Sequence, residues 1–174
     1  MDKFVPDMYQ KSLATINYQK LKKSGIKCLI IDLDNTIAPV TVLEPDKKIK
    51  DLFADIKDMG FKVIIMSNGN KSRVAPFKEG LNVDASASSK KPLKGKYKKI
   101  MKIYGFKDTE IACIGDQLVT DIFGANRMDM TSILVNPVSK NDLFLTRLIN
   151  RSIEKRIIKK LEKKGLFEVG KYYE

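Results

Sequence analysis

KCLIIDLDNT, residues 27–36, sets the reading of the whole chain: a short apolar run that ends in two carboxylates spaced two apart. A strand reads as a near-continuous apolar run, without strict alternation, when both faces of its sheet are covered. Four further runs share this character: Phe61–Met66 (FKVIIM), Leu81–Ala85 (LNVDA), Ile111–Gly115 (IACIG) and Thr131–Val135 (TSILV). Each is bounded by Gly, Asn, Asp or Ser, the residues that punctuate strands. Between the runs, Ile49, Leu52, Phe53 and Ile56 recur at helical spacing ahead of Gly60, and Tyr97, Ile100, Met101 and Tyr104 do so ahead of Gly105. Residues 71–79 and 120–128 are weaker helical stretches. Strands alternating with helices predict an α/β fold, a Rossmann-like parallel sheet of about five strands with helices on both faces.

The length of 174 residues predicts one domain. Its core should span about 27–135. An N-terminal extension over 1–26, with a short helix at Tyr18–Lys23, and a C-terminal helix over about 141–164 should lie outside it. In that last helix Leu145, Ile149, Ile153, Ile157 and Leu161 fall at four-residue steps, which on a 3.6-residue helix drift into a broad apolar face. Residues 147–164 also carry eight Lys/Arg against Glu154 and Glu162. A basic amphipathic helix of this kind lies on an anionic bilayer, or else docks its stripe on the sheet or on a partner subunit.

Composition excludes several chemistries. The chain has no histidine, which removes Ser-His-Asp and Cys-His nucleophile systems and every His-containing zinc site. With 33 Lys/Arg against 21 Asp/Glu the net charge is +12, a balance that attracts polyanions: nucleic acid, anionic lipid or a phosphorylated substrate. Cys28 and Cys113 each sit inside an apolar run and read as buried thiols of a reducing compartment. MDKFVPDMYQ lacks the apolar run of a signal peptide, and no apolar stretch is long enough to span a membrane. The expected location is cytoplasmic, peripheral at the inner face of the membrane if the last helix meets lipid.

In an open parallel sheet, ligands bind beyond the carboxyl ends of the strands. Here those ends carry Asp32 and Asp34, then Ser67-Asn68, then GDQLVTD over Gly115–Asp121, with Lys90-Lys91-Pro92 between. Asp32, Asp34, Asp116 and Asp121 would bring up to four negative charges together, a cluster that raises its own pKa values unless cations compensate. A lysine and a Mg²⁺ ion, which suits hard carboxylate oxygens, supply three positive charges. Composition does not separate Lys90 from Lys91; the neighbouring Pro92 favours Lys91. Thr36 either orients the acid loop or caps the next turn. Asn68 either offers its backbone N–H to phosphate or shapes the turn, and Arg73 either meets an anionic head group or stays solvated.

These segments, DxDxT at 32–36, a strand ending in Ser67, Lys91 before Pro92, and GDxxxxD at 115–121, resemble the four motifs of the haloacid dehalogenase-like phosphohydrolases in order and placement. The resemblance implies Asp32 as nucleophile, Asp34 as general acid and base, and Ser67 and Lys91 as phosphate-binding groups. It implies Mg²⁺ held by Asp32, Asp116 and the backbone carbonyl of Asp34, with Asp121 in support. The implied reaction is phosphomonoester hydrolysis through an aspartyl-phosphate. The short stretch between Thr36 and Ser67 leaves room for a small flap over 36–45 and no large cap domain, so the site should stand open unless a second subunit covers it.

FVPDMYQKSL (4–13), DNTIAP (34–39) and FLTRLINRSIEKRIIKKL (144–161) resemble a narrower type IIIA group, which includes mitochondrial phosphatidylglycerophosphate phosphatases and bacterial relatives. The implied substrate is phosphatidylglycerophosphate on an anionic surface. A phosphoprotein, a nucleic-acid end or a soluble metabolite is the alternative for the same chemistry. A non-catalytic basic module for nucleic acid is the alternative of another class. Four intact motifs, and the lack of aromatic residues interleaved with basic ones, count against it.

Overall fold

Each of the five runs contributes a strand to one parallel sheet, and a sixth strand joins them. The computed structural model describes residues 1–139 and 145–174, with the backbone alone for 145–151. In chain order the elements are β1 (Met8–Gln10), α1 (Tyr18–Lys23), β2 (Cys28–Ile31), α2 (Lys47–Asp58), β3 (Lys62–Met66), α3 (Lys71–Leu81), β4 (Asp84–Ser86), α4 (Lys94–Tyr104), β5 (Ile111–Gly115), α5 (Phe123–Asn126), β6 (Thr131–Val135) and α6 (Leu145–Lys163). The strand order is β1-β6-β5-β2-β3-β4. The chain runs outward from β2 through β3 to β4, then returns to β5 on the other side of β2. That reversal opens a crevice between the carboxyl ends of β2 and β5, the place where such sheets bind ligands.

Side chains alternate along each strand, so one strand feeds two cores. Leu29 and Ile31 of β2, with Val63 and Ile65 of β3, meet Phe53 and Ile56 of α2 and Val74 and Phe77 of α3 on one face. Cys28 and Ile30, with Ile64 and Met66, meet Tyr97 and Ile100 of α4 on the other. Burial pushes the Cys28 thiol up to about 12 and raises Cys113 as well, so both are inert protonated groups of the core.

Local signals set the helix ends. Asp46 accepts from the backbone N–H of Ile49 and starts α2. Asn70 does the same for Arg73 at the start of α3. Where the sequence starts a strand at Leu81, the structure gives Leu81 to α3, since it completes the buried face begun by Val74 and Phe77. The helix stops at Asn82 in a left-handed conformation, and β4 begins only at Asp84. The expected helix over 120–128 is also divided: a wide turn of π type covers Leu118–Ile122, and only Phe123–Asn126 is α-helical.

At the ends, one expectation is corrected, and one of the two readings of the last helix is met in part. Residues 1–26 do not lie outside the core. β1 pairs with β6, with Met8 opposite Ile133 and Gln10 opposite Val135, and Leu13, Ile16, Tyr18 and Leu21 are buried in the main core. Three residues in a polar context give no periodic signal, so β1 declares itself only through a partner far along the chain. The C-terminal stripe docks in part: Ile157 and Leu161 pack with Leu118, Ile122, Leu134 and Phe167. Ile158 joins that cluster, whereas Ile153 remains 43% exposed. Residues 141–144, and the side chains of Leu145, Ile149 and Arg151, lie outside the described residues.

Beyond α6 the chain returns to the sheet edge, where Tyr9 and Tyr173 exchange backbone hydrogen bonds of 2.9 and 3.0 Å. Leu161 is fully buried in this assembly. Leu161→Ala should therefore cost about 2–5 kcal/mol in urea denaturation followed by circular dichroism, as a core cavity does. A surface helix would show less than about 0.5 kcal/mol.

Candidate active site

The acid loop is shaped by its own backbone. Asn35 takes a left-handed conformation, φ 64°. The N–H groups of Ile37 and Ala38 then both reach the carbonyl of Leu33, at 2.9 and 3.2 Å. This tight reversal holds Asp32 and Asp34 at the end of β2, each only 8% exposed. Thr36 folds back under them, with its hydroxyl 3.3 Å from Asp32 Oδ2 and 3.3 Å from Asp116 Oδ1. Of its two sequence readings, the structure supports the orienting one.

Lys91 occupies the centre. Its Nζ donates to Asp32 Oδ1 and to Asp121 Oδ1, both at 2.6 Å, and its side chain is only 4% exposed. Lys90 points to solvent, which settles which lysine enters the site. Asn68 explains how Lys91 is held: the Lys91 N–H donates to Asn68 Oδ1 at 2.7 Å, and Asn68 Nδ2 donates to the Lys91 carbonyl at 3.2 Å. The Asn68 side chain thus replaces a strand pairing between two loops, a role that no local sequence signal announces. Ser67 is buried at the end of β3, its Oγ accepting from the Gly69 N–H at 2.9 Å.

Asp121 reaches the site from the wide turn after β5, and its Oδ2 accepts from the Gln117 N–H. Its carboxylate lies over Gly115 so closely that a Cβ there would stand 2.2 Å from Asp121 Cγ. The glycine of the GD pair is thereby explained by a neighbour six residues on. The turn itself is anchored from outside: the Leu118 N–H donates to the carboxylate of Glu154 on α6. In the sequence Glu154 counts only as an acid in a basic helix.

Arg73 is not solvated. Its Nε donates to Asp34 Oδ1 at 2.9 Å, and its terminal nitrogens reach the carbonyls of Val42 and Pro39. Around the site four carboxylates therefore face two cations, leaving two negative charges. Asp32, Asp116 and Asp121 each offer one oxygen, and these lie within 4.8 Å of one another. A hard divalent cation fits this set in both charge and donor type. The carboxylate of Asp34 is engaged by Arg73 and is not part of the set.

Burial pushes the Asp32 carboxyl up to about 6; Lys91 pulls it back, while the Asp121 and Asp34 charges add to the rise. Burial draws Lys91 down, but the Asp121 and Asp32 carboxylates more than offset it, so its ammonium stays above the usual range.

A family model for haloacid dehalogenase-like hydrolases matches residues 15–129. The chain belongs to that family. Within it, the protein is 36% identical over 162 residues to the Probable phosphatase YqeG of Bacillus subtilis (strain 168), a match that covers 93% of this chain and 94% of the relative. It is 27% identical over 180 residues to phosphatidylglycerophosphate phosphatase 1, chloroplastic/mitochondrial, of Arabidopsis thaliana, covering 93% of this chain and 49% of the relative. Among solved structures, the cobalt-bound deoxy-D-mannose-octulosonate 8-phosphate phosphatase of Haemophilus influenzae superposes with a TM-score of 0.53 at 16% identity. That match covers 87% of this chain and 96% of the other, and at this identity it speaks to the fold alone. This haloacid dehalogenase-like hydrolase therefore has the α/β architecture that its strand pattern predicts.

Two measurements check the electrostatics. Gly115→Ala should displace Asp121 by an ångström or more and reduce phosphate release on the order of 10²-fold, the cost of such a misplacement, while far-ultraviolet circular dichroism stays native. In protein stripped of divalent cations, Asp32 binds its proton more tightly folded than unfolded, so its contribution is present at low pH and is lost as pH rises through about 6. Stability should fall as pH rises from 4 to 7. Asp32→Asn should flatten that slope; an unchanged slope would remove Asp32 as its source.

Proposed function

We propose that this phosphatase is a Mg²⁺-dependent phosphomonoesterase that works through an aspartyl-phosphate on Asp32, and that its substrate is phosphatidylglycerophosphate presented by an anionic membrane. The observation that carries the chemistry is the buried Lys91 ammonium between Asp32 and Asp121, beside the third carboxylate of Asp116. An unprotonated Asp32 oxygen attacks phosphorus in line with the leaving oxygen. Lys91, with the Ser67 hydroxyl, meets the phosphoryl oxygens. Asp34 gives its proton to the departing alkoxide, then takes one from the water that cleaves the Asp32–phosphate bond, so both carboxylates return to their starting state. Bound by Asp32, Asp116 and the backbone carbonyl of Asp34, with Asp121 in support, Mg²⁺ would supply neutralising charge and a template for the phosphoryl oxygens.

Support for the lipid comes from the name of the Arabidopsis relative, of which this chain spans about half, and from the surface. Between α3 and α4, beyond the edge strand β4, lies a trough of about 470 Å³. Val74 and Ile100 contribute to its apolar floor, and Lys71, Lys78, Lys96 and Lys99 rim it. Apolar surface bordered by cations is suited to an anionic amphiphile. Lys155, Arg156, Lys159 and Lys160 of α6 are not buried and add to the basic surface. No helix among the described residues is long and apolar enough to cross a membrane.

Asp32→Asn should abolish phosphate release from p-nitrophenyl phosphate, and EDTA followed by dialysis should do the same reversibly, with Mg²⁺ restoring activity. Turnover by Asp32→Asn at the wild-type rate would end the nucleophile assignment. Replacing Lys71, Lys78, Lys96 and Lys99 with Gln should weaken turnover of phosphatidylglycerophosphate in vesicles and spare the soluble aryl ester. Added salt should mimic the effect, since it screens surface charge over ~8 Å at physiological strength. No phosphate from phosphatidylglycerophosphate in either detergent or vesicles would eliminate the lipid and leave the phosphatase.

A further inference from the structure

Among the described residues outside the catalytic motifs, Arg73 is heavily engaged through its side chain. It stands in the first turn of α3, where its own N–H is capped by Asn70 Oδ1 at 3.0 Å. From there the guanidinium serves three groups in two segments: Asp34 Oδ1 from Nε at 2.9 Å, the Val42 carbonyl from Nη1 and the Pro39 carbonyl from Nη2 at 3.2 Å. It also lies 4.9 Å from the Phe77 ring centroid, and its side chain is only 14% exposed. A solvated arginine has no reason to be fixed on so many sides. A purely structural arginine has no reason to spend a charged hydrogen bond on the carboxylate that handles the proton.

We propose that Arg73 is a positioning residue that fixes the Asp34 carboxylate for proton transfer to the leaving group and fastens the 39–42 segment over it, so that the flap and the acid are set by one guanidinium. The inference rests on the reading of Asp34 as the proton donor. The planar fork matters here. Nε addresses Asp34 while the two terminal nitrogens address the carbonyls, a division that a lysine ammonium, compact and rotatable, does not reproduce. Without Arg73 the Asp34 side chain loses the ion pair that the guanidinium makes to its Oδ1.

A proton donor matters in proportion to the basicity of the leaving oxygen. An alkyl phosphate expels an alkoxide that must be protonated as it leaves. A p-nitrophenyl ester expels a phenolate stable without a proton. If Arg73 acts through Asp34, its loss should penalise the first substrate and largely spare the second, a discrimination that loosening of the fold would not produce.

The experiment compares the full-length wild type, Arg73→Gln, Arg73→Lys and Asp34→Asn on glycerol phosphate and p-nitrophenyl phosphate, reading kcat/KM, which covers the steps up to phosphoryl transfer to Asp32. Arg73→Gln should lose on the order of 10²-fold on the alkyl ester, the lower range of general-acid contributions, and less than about fivefold on the aryl ester. Asp34→Asn should show the same preference in stronger form. Arg73→Lys, which keeps the charge if Gln at this position fails to fold, should fall between wild type and Gln with the same preference. Equal losses on both esters, or none on either, would overturn the inference and leave Arg73 as a fastening of the flap. Discrimination by the Arg73 variants but not by Asp34→Asn would overturn it too, since Arg73 would then act on the leaving group by another route. A wild type inactive on both esters, with Asp32→Asn no different, would mark failure of the phosphatase reading and take this inference with it.

Discussion

A lysine ammonium buried between two carboxylates is the constraint on which the site depends. Taking Lys91, Asp32 and Asp121 out of water costs several kcal/mol per ion, and the loss is recovered only where geometry and further hydrogen bonds are complete. Both ion pairs are 2.6 Å long, and the surrounding loops can be understood as what keeps them so. The left-handed turn at Asn35 places Asp32, and the Asn68 amide clasps the backbone of Lys91. Bare Gly115 lets Asp121 descend onto the end of β5. The three charges come from three loops that the parallel topology gathers at one edge, on either side of the reversal between β2 and β5.

Charge balance gives the second layer of the design. A lysine and a divalent ion supply three positive charges against four carboxylates, one short. Arg73 makes up the difference at Asp34, and leaves Asp32, Asp116 and Asp121 with Lys91 and the cation set. The two carboxylates of the acid loop, two residues apart, are thus divided between different counter-charges. Such a division gives two neighbouring acids different surroundings, one facing Lys91 and the cation set and the other facing Arg73.

Much of this is legible in the sequence because strong local patterns coincide with it. β5 and β6 run as read, and Asp32, Asp34, Ser67, Lys91, Asp116 and Asp121 all arrive at one edge of the sheet. What escapes the sequence depends on partners distant along the chain. β1 is three residues whose register is set by β6, more than a hundred positions later. Leu81 lies in an apolar run and becomes helical because Val74 and Phe77 need a third residue on their face. Arg73, Asn68 and Glu154 are ordinary polar residues by composition. Their roles come from the atoms they meet: a carboxylate, a lysine backbone and the N–H of buried Leu118.

The bond from the Leu118 N–H to Glu154 has a mechanical consequence. α6 carries exposed cations on its outer side, and through Glu154 it grips the turn that three residues later presents Asp121. Ile157 and Leu161 make that grip stiff by burying themselves against Leu118 and Ile122. The helix is therefore a lever whose short arm ends at the counter-ion of Lys91. Its basic outer face and the charges around Lys91 are thus joined through a single turn of backbone.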